Sequence, residues 1–521
     1  MPRRIRESNC GKADGQAGGR TGGRFFPSVL SVLSVLSVLA SSPAHAQKAL
    51  ARRLDALLDA PDFAHQLWGV ALLDQRGKLL YSRNADRLFI PASNTKLVVT
   101  SVAASRLPPD FSVETSVYAA GPVESGIIWG DLVLYGRGDP TSAVRCYALD
   151  STLAGACDRD PFEKFRSLAA QLRAAGITEV KGDLVGDGSY FEPTMVHGDW
   201  SGYDLNWWYA APVSGLSFND NSVDLYWRPG AGEGMPAQVI MNPDLGDVTL
   251  ENRSRTTAPS TPTTLDFFRT PGTLSLWAEG DVALDSRGGT ESFALPDPDL
   301  YTARAFRQVL GEAGIIVRGT TTSTTDSLRY RVVRGTTPLA SVRSRPLREW
   351  IFPILSTSQN FFAEMLLKQL GRQFGTAGSW EQGLEVERRF LVDSMGVDSA
   401  QVRLSDGSGL AAMNLVSPLT FVRIMQYMRH SPHYADWAAG LPRAGQAGTL
   451  AKRFTGTPLE GRVLAKTGTI GLASTLTGYI FTERGDTLVF SIQANHHSAP
   501  DRVVKAQIDS LVLAMATTAR K

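Results

Sequence analysis

Ser93-Asn94-Thr95-Lys96 follows Pro91-Ala92 at the head of an apolar run, and nowhere else in the 521 residues does a lysine stand three positions after a serine. One helical turn puts the two side chains on the same face, within reach of each other. If burial disfavours the charged ammonium, the Lys96 amine can take the Ser93 hydroxyl proton and make a nucleophile without any histidine. The plainer alternative is a helix start with Ser93 as N-cap and an exposed lysine in the first turn. Serine acyl chemistry that relies on lysine also needs a second hydroxyl to pass the proton and a cationic strand to hold a substrate carboxylate, so the rest of the chain decides between the two.

Lys466-Thr467-Gly468-Thr469 contains the only Lys-Thr-Gly of the sequence. Residues 462–465 run into it as a strand. Residues 474–481 and 487–493 alternate like the next strands of an antiparallel sheet, with Glu483-Arg484-Gly485-Asp486 as their turn. Gly468 removes a side chain where something must come close to the backbone. Ser-x-Asn occurs three times, as Ser82-Arg83-Asn84, Ser217-Phe218-Asn219 and Ser358-Gln359-Asn360. The first ends a short strand ahead of the nucleophile, and the second lies in a loop rich in Gly, Pro and aromatic residues. The third opens the amphipathic run Phe361, Phe362, Met365, Leu366 and Leu370, which puts its polar groups at a helix start facing a cleft. Capping is the alternative role for Ser358.

In this order and on these elements, the three motifs resemble the penicillin-recognising serine enzymes, the D,D-peptidases and serine β-lactamases. With residues 81–97, Gly138-Asp139-Pro140, residues 211–217, Asp406-Gly407-Ser408-Gly409-Leu410 and residues 464–469, the chain is similar to the D-alanyl-D-alanine carboxypeptidase/endopeptidase family. These are the class C low-molecular-mass penicillin-binding proteins of the penicillin-binding protein 4 type. Two departures bear on rate and substrate preference. Gln359 stands where the family usually has Asp, and Ala411-Ala412-Met413 follows the Asp-Gly-Ser-Gly-Leu run where a Ser-Arg pair is common.

The resemblance implies an α+β fold: a transpeptidase domain of the penicillin-binding protein and serine β-lactamase kind, with an antiparallel sheet and helices on both faces, interrupted by β-rich inserted accessory domains. It implies that Ser93 attacks the carbonyl between two D-alanines of a peptidoglycan stem peptide while Lys96 accepts its proton. Ser358 then passes the proton to the leaving amine, and Asn360 orients Lys96 and the substrate amide. Lys466 and the strand Thr467, Gly468 and Thr469 bind the substrate and its terminal carboxylate. The backbone N–H groups of Ser93 and Thr469 are expected to receive the oxyanion. β-Lactams are expected in the same site, and no metal or cofactor is called for. Carboxypeptidase and endopeptidase cleavage differ only in the leaving amine, and both stay open. The rival readings are a serine β-lactamase or esterase of the same fold, and a non-catalytic scaffold that binds muropeptides.

The amino terminus addresses the compartment. Residues 25–40 are a Ser-Val-Leu-rich apolar run behind Arg20 and Arg24, and Ala44-His45-Ala46 follows. Positive flank, apolar core and small-x-small site predict a signal peptide over 1–46, hence export to the periplasm or cell-wall space. A membrane anchor is the alternative, but 16 residues interrupted by serine are short for a span. Losing the six basic and two acidic residues of 1–46 takes the formal charge from +2 to −2. A near-neutral protein is not built for nucleic acid or for an electrostatically held membrane surface. Cys146 and Cys157, with ten residues between them, read as a local disulfide of an exported protein, the alternative being two free thiols. No histidine sits in a hydrolase, cysteine-protease or zinc motif. Oligomeric state is not encoded in any pattern of the chain.

Ser93 and Ser358 lie 265 positions apart, which predicts an insertion between them. The expectation is a discontinuous catalytic domain, 47–107 plus 339–521, around an inserted β-rich accessory region, 108–338, of one or two subdomains. The first piece should supply a helix at 50–58, a hairpin of 68–73 with 79–82, and a nucleophile helix ending before Pro108-Pro109. The second should supply helices at 358–370, 380–393 and 418–428 and a closing helix at 501–515. Within the insertion, 130–135, 183–186 and 222–227 read as strands and 161–175 and 301–313 as helices. Residues 253–271, dense in Thr, Ser and Pro, read as an exposed connection.

Overall fold

A computed structural model describes residues 43–143, 160–270 and 272–518. Cys146 and Cys157 lie outside the described residues, as does most of the leader. Among the described residues no helix is long and apolar enough to cross a membrane.

A five-stranded antiparallel sheet organises the two ends of the chain. Its order is Leu79–Arg83, Leu67–Leu73, Thr487–Asn495, Ala473–Phe481, Val463–Ile470. Both faces are covered, so its central strands read as nearly continuous apolar runs. Side chains alternate between faces. Val70, Leu72, Leu476, Ile480, Phe490 and Ile492 pack with Leu50 and Leu54 of the helix Pro43–Leu58 and with Ile508 and Val512 of the helix Asp501–Thr518. Ala71, Leu73, Tyr479 and Val489 point the other way, into a core with Val98 and Val102 of the helix Lys96–Arg106 and Val422 and Met425 of the helix Pro418–Arg429. That second core continues through the helices Leu347–Ser356, Asn360–Phe374 and Trp380–Asp393.

The middle of the chain forms further sheets around an apolar core of its own, which includes Val117, Leu134, Phe165, Leu184, Phe218, Phe267 and Phe306. One sheet of five has the order Thr321–Thr324, Leu184–Asp187, Asp131–Tyr135, Glu114–Ala120, Ala340–Arg343. Its three strands Asp131–Tyr135, Leu184–Asp187 and Thr321–Thr324 are parallel neighbours, which the sequence reading did not anticipate. Parallel neighbours need crossovers, and the two expected helices, observed at Glu163–Ala174 and Pro298–Glu312, lie within those connections.

One expectation is corrected in part: the stretch 253–271 is an exposed connection only at 258–265. It holds the end of the strand Thr249–Thr257, parallel to Ser275–Ala283, and the strand Asp266–Arg269. Ser254, Thr256, Phe267 and Arg269 are buried. Their period-two burial is a strand signal carried by hydroxyl and guanidinium side chains, and the Thr-Pro density between 258 and 265 hid it.

Candidate active site

Ser93 does not open the α-helix as expected. Ser93 lies in a 3-10 turn, Ala92–Thr95, and Lys96 is the first residue of the helix Lys96–Arg106. The turn is pinned from several sides. The Thr95 hydroxyl donates to the Ala92 carbonyl at 2.9 Å, the Asn94 amide to Thr477 Oγ1 at 2.7 Å, and the Thr475 hydroxyl to the Pro91 carbonyl at 3.0 Å. Ser93 is part-exposed between buried neighbours. Its side chain makes no capping hydrogen bond to the turn, so the N-cap alternative is not what the structure holds.

Gly468 explains how the Lys-Thr-Gly strand comes so close. A Cβ there would stand 2.3 Å from Thr475 Oγ1, 2.8 Å from the Pro91 carbonyl oxygen and 3.0 Å from the Ser93 nitrogen. A methyl group must therefore push the strand off the Ser93 turn. Gly468→Ala is expected to lower the rate of acylation by labelled penicillin at least about 100-fold, a displacement of the ångström order being enough for such a loss. An unchanged rate in the folded variant would mean that the strand's closeness to Ser93 is irrelevant to reactivity.

Lys96 is fully buried. Its Nζ lies 2.9 Å from Ser93 Oγ, 2.7 Å from Asn360 Oδ1 and 2.6 Å from the Ser408 carbonyl oxygen. The Asn360 amide is oriented by its own Nδ2, which donates to the Tyr209 carbonyl at 2.8 Å, so oxygen faces the lysine. Burial pushes the Lys96 pKa down to about 7, against the partial restoring effect of Asp406 and Glu364. A neutral amine has two N–H bonds and one lone pair. Asn360 and Ser408 offer only acceptors, so they take the N–H bonds, and the lone pair is left facing the one partner that can donate, the Ser93 hydroxyl.

Across the cleft, Lys466 is also fully buried and donates to Ser358 Oγ at 2.8 Å and the Thr467 carbonyl at 2.9 Å. Burial, and secondarily the Lys96 charge, hold its pKa well below the usual lysine range. Thr467 donates its hydroxyl to Thr449 Oγ1 at 2.8 Å, and Thr469 is exposed on the same strand. Ser358 is not the helix cap. Gln359 is the N-cap of Asn360–Phe374, and Ser358 precedes it at φ +66°, a left-handed backbone unusual for a side-chain-bearing residue. The structure thus joins Ser93 to Lys96, Lys96 to Asn360, and Ser358 to Lys466 by direct hydrogen bonds.

Comparison with known proteins fits this arrangement. Residues 50–516 match the model of the D-Ala-D-Ala carboxypeptidase 3 (S13) family. The chain belongs to this family. Its activity is that of a serine D-Ala-D-Ala carboxypeptidase. A D-alanyl-D-alanine carboxypeptidase of an Actinomadura species is 33% identical over 93% of this chain and 89% of its own length. The D-alanyl-D-alanine carboxypeptidase DacB of Haemophilus influenzae is 26% identical over 81% of this chain and 84% of its own. In fold, the chain superposes on the crystal structure of penicillin binding protein 4 from Haemophilus influenzae with a TM-score of 0.71 at 22% identity, covering 86% of this chain and 94% of that one.

The carboxypeptidase has a buried acidic layer behind Lys96 that the sequence reading missed. Glu364 accepts from the Ser408 N–H at 2.7 Å, the Gly407 N–H at 3.1 Å and the Trp380 indole at 2.7 Å. It thereby fixes the loop whose Ser408 carbonyl meets Lys96. Asp406 accepts from the Gly409 and Ala411 N–H groups, each at 2.7 Å, and from Asn414 Nδ2 at 2.7 Å and Trp200 Nε1 at 3.0 Å. Burial, then the Asp406 charge, pushes Glu364 up to about 7, and Glu387 beyond it is held well above the carboxylate range by burial and both neighbours. A signal was available: Glu364 is four residues after Asn360 and shares its helix face. Gly409 closes the arrangement at φ +81°, where a Cβ would strike the Ala92 carbonyl at 1.9 Å. The Ala411 departure is also explained in part, since what Asp406 uses at 411 is the backbone N–H, which any residue but proline supplies.

Proposed function

We propose that the carboxypeptidase works through an acyl-enzyme on Ser93. The Ser93 oxygen attacks the carbonyl carbon of the penultimate D-Ala as its proton passes to Lys96 Nζ. The carbonyl π electrons move onto oxygen, and the backbone N–H groups of Ser93 and Thr469 receive that charge. The intermediate collapses, the C–N bond breaks, and terminal D-Ala leaves with a proton delivered from Lys96 by way of Ser358. Water then attacks the ester, giving its proton to Lys96, and the shortened peptide departs as Ser93 regains its hydrogen. Lys466, Thr467 and Thr469 bind the substrate carboxylate. In the empty site burial disfavours the Lys466 ammonium, and an arriving carboxylate supplies the opposite charge that restores it.

The observation that carries this reading is the set of three contacts around Lys96 Nζ, which leaves the Ser93 hydroxyl facing a buried amine of lowered pKa. β-Lactams acylate the same serine, and their tethered amine stays in the way of the deacylating water. Around this chemistry, residues 1–46 direct export to the periplasm or cell-wall space. Residues 47–107 and 339–521 form the catalytic domain, and 108–338 the accessory region that limits how large substrates approach.

The test incubates the purified protein with a peptide ending in D-Ala-D-Ala and, separately, with a fluorescent penicillin. Release of free D-Ala, together with a lasting adduct on the Ser93 peptide found by mass spectrometry, is the expected result. Rapid β-lactam turnover without D-Ala release would replace this reading by a β-lactamase.

A further inference from the structure

Gln359 occupies the middle of the Ser358-Gln359-Asn360 motif and is buried. Both ends of its amide are in use. Oε1 accepts the Phe361 N–H at 3.0 Å, capping the helix, and Nε2 donates to Asp220 Oδ2 at 2.8 Å. Asp220 is itself buried, in the turn Asn219-Asp220-Asn221, whose three residues all have positive φ, at 50°, 53° and 52°. That turn is fixed by hydrogen bonds from Asn221 Nδ2 to the Pro212 carbonyl at 2.8 Å and from Asn219 Nδ2 to the Ser222 carbonyl at 2.9 Å. The same segment reaches the motif a second time, through the Tyr209 carbonyl that orients Asn360.

Ser358 needs such support. A non-glycine residue at positive φ is strained and persists only when its surroundings over-determine it. The residue after it is held three ways: by its backbone N–H on the Pro353 carbonyl at 3.1 Å, by the helix cap, and by Asp220.

We propose that Asp220 and Gln359 are a matched pair through which residues 209–221 position Ser358 and Asn360 for proton transfer. The amide at 359 is required by the carboxylate opposite it, because an aspartate there would set two buried carboxylates against each other, and one of them could stay only by taking a proton. The ionisable groups reached directly from the flanking residues are Lys466, on Ser358 Oγ, and Lys96, on Asn360 Oδ1, with Glu364 one turn along the same helix. Asp224 lies beyond Asn219, 3.5 Å from its amide. The pair is a positioning device and touches no substrate. It rests on Ser358 and Asn360 serving the acyl transfer proposed above.

The experiment measures the second-order rate of acylation by fluorescent penicillin from about pH 5.5 to about pH 8.5 in three proteins, with thermal melts as folding controls. Gln359→Asp is expected to react at least about tenfold more slowly than the unaltered protein at alkaline pH, with the gap closing as the pH falls and the two carboxylates share a proton. Gln359→Asp combined with Asp220→Asn restores one amide and one carboxylate, and is expected to stay within about threefold of the unaltered protein at every pH. A single variant that tracks the unaltered protein at all pH values overturns the proposal, and so does a folded double variant that does not recover. If the single variant does not fold, the double carries the test: folded and reactive supports the pair, unfolded or inactive refutes it. Failure of the unaltered protein to label at Ser93 would instead overturn the reading of the site itself.

Discussion

Ser93→Ala removes covalent capture of labelled penicillin while the protein stays folded. The expected loss of acylation is at least about 10⁴-fold, because without the nucleophile only the binding and oxyanion contacts remain. Stability should barely change. Ser93 is part-exposed, its hydroxyl makes no capping bond to its turn, and that turn is held by Thr95, Asn94 and Thr475 instead. The measurement pairs mass spectrometry of the adduct with a thermal melt. A folded variant that still formed an adduct would locate the nucleophile elsewhere.

Lys96 should control the pH profile of the same reaction. In the proposed mechanism its neutral form is the base, and burial brings its pKa down to about 7. Below that value the ammonium dominates, so acylation is expected to fall about tenfold for each further unit of acidity, and to level off above it. Asp406 and Glu364 pull in the opposite direction, which is why the lysine stops near neutrality rather than lower. Lys96→Met keeps the stem and removes the amine. A loss of about 10²–10⁴-fold is expected, with the acid limb gone from whatever rate remains. If the limb persisted in this variant, Lys466, the buried amine of depressed pKa across the cleft, would be the titrating group.

The juxtaposition of the candidate site residues was legible because its signals are local. A serine and a lysine three residues apart, or a glycine inside a strand, state their relation in the sequence, and the alternation of 474–481 and 487–493 foretold strands observed at Ala473–Phe481 and Thr487–Asn495. What stayed hidden depended on distant partners. Glu364 reads as an ordinary polar helix residue until Trp380 and the Gly407 and Ser408 N–H groups are seen around it. The helix Leu347–Ser356 is hidden in the sequence because Pro353 lies inside it, where a proline ordinarily signals a break. The sequence puts Ser358 at the start of its helix, whereas the structure makes Gln359 the cap, since Gln359 Oε1 accepts the Phe361 N–H.

The order of strands in the central sheet has a consequence for biogenesis. Leu67–Leu73 is hydrogen-bonded on one side to the neighbouring Leu79–Arg83 and on the other to Thr487–Asn495, with Leu67 opposite Asn495. A ribosome therefore releases Ser93 and Lys96 long before the Ser408 carbonyl that meets the lysine and the strand that brings Gly468 against the Ser93 turn. Contacts of such sequence separation form late and slowly. The growing chain thus lacks the approach of Gly468 to the Ser93 turn until its final strands have been synthesised and have found their place in the sheet.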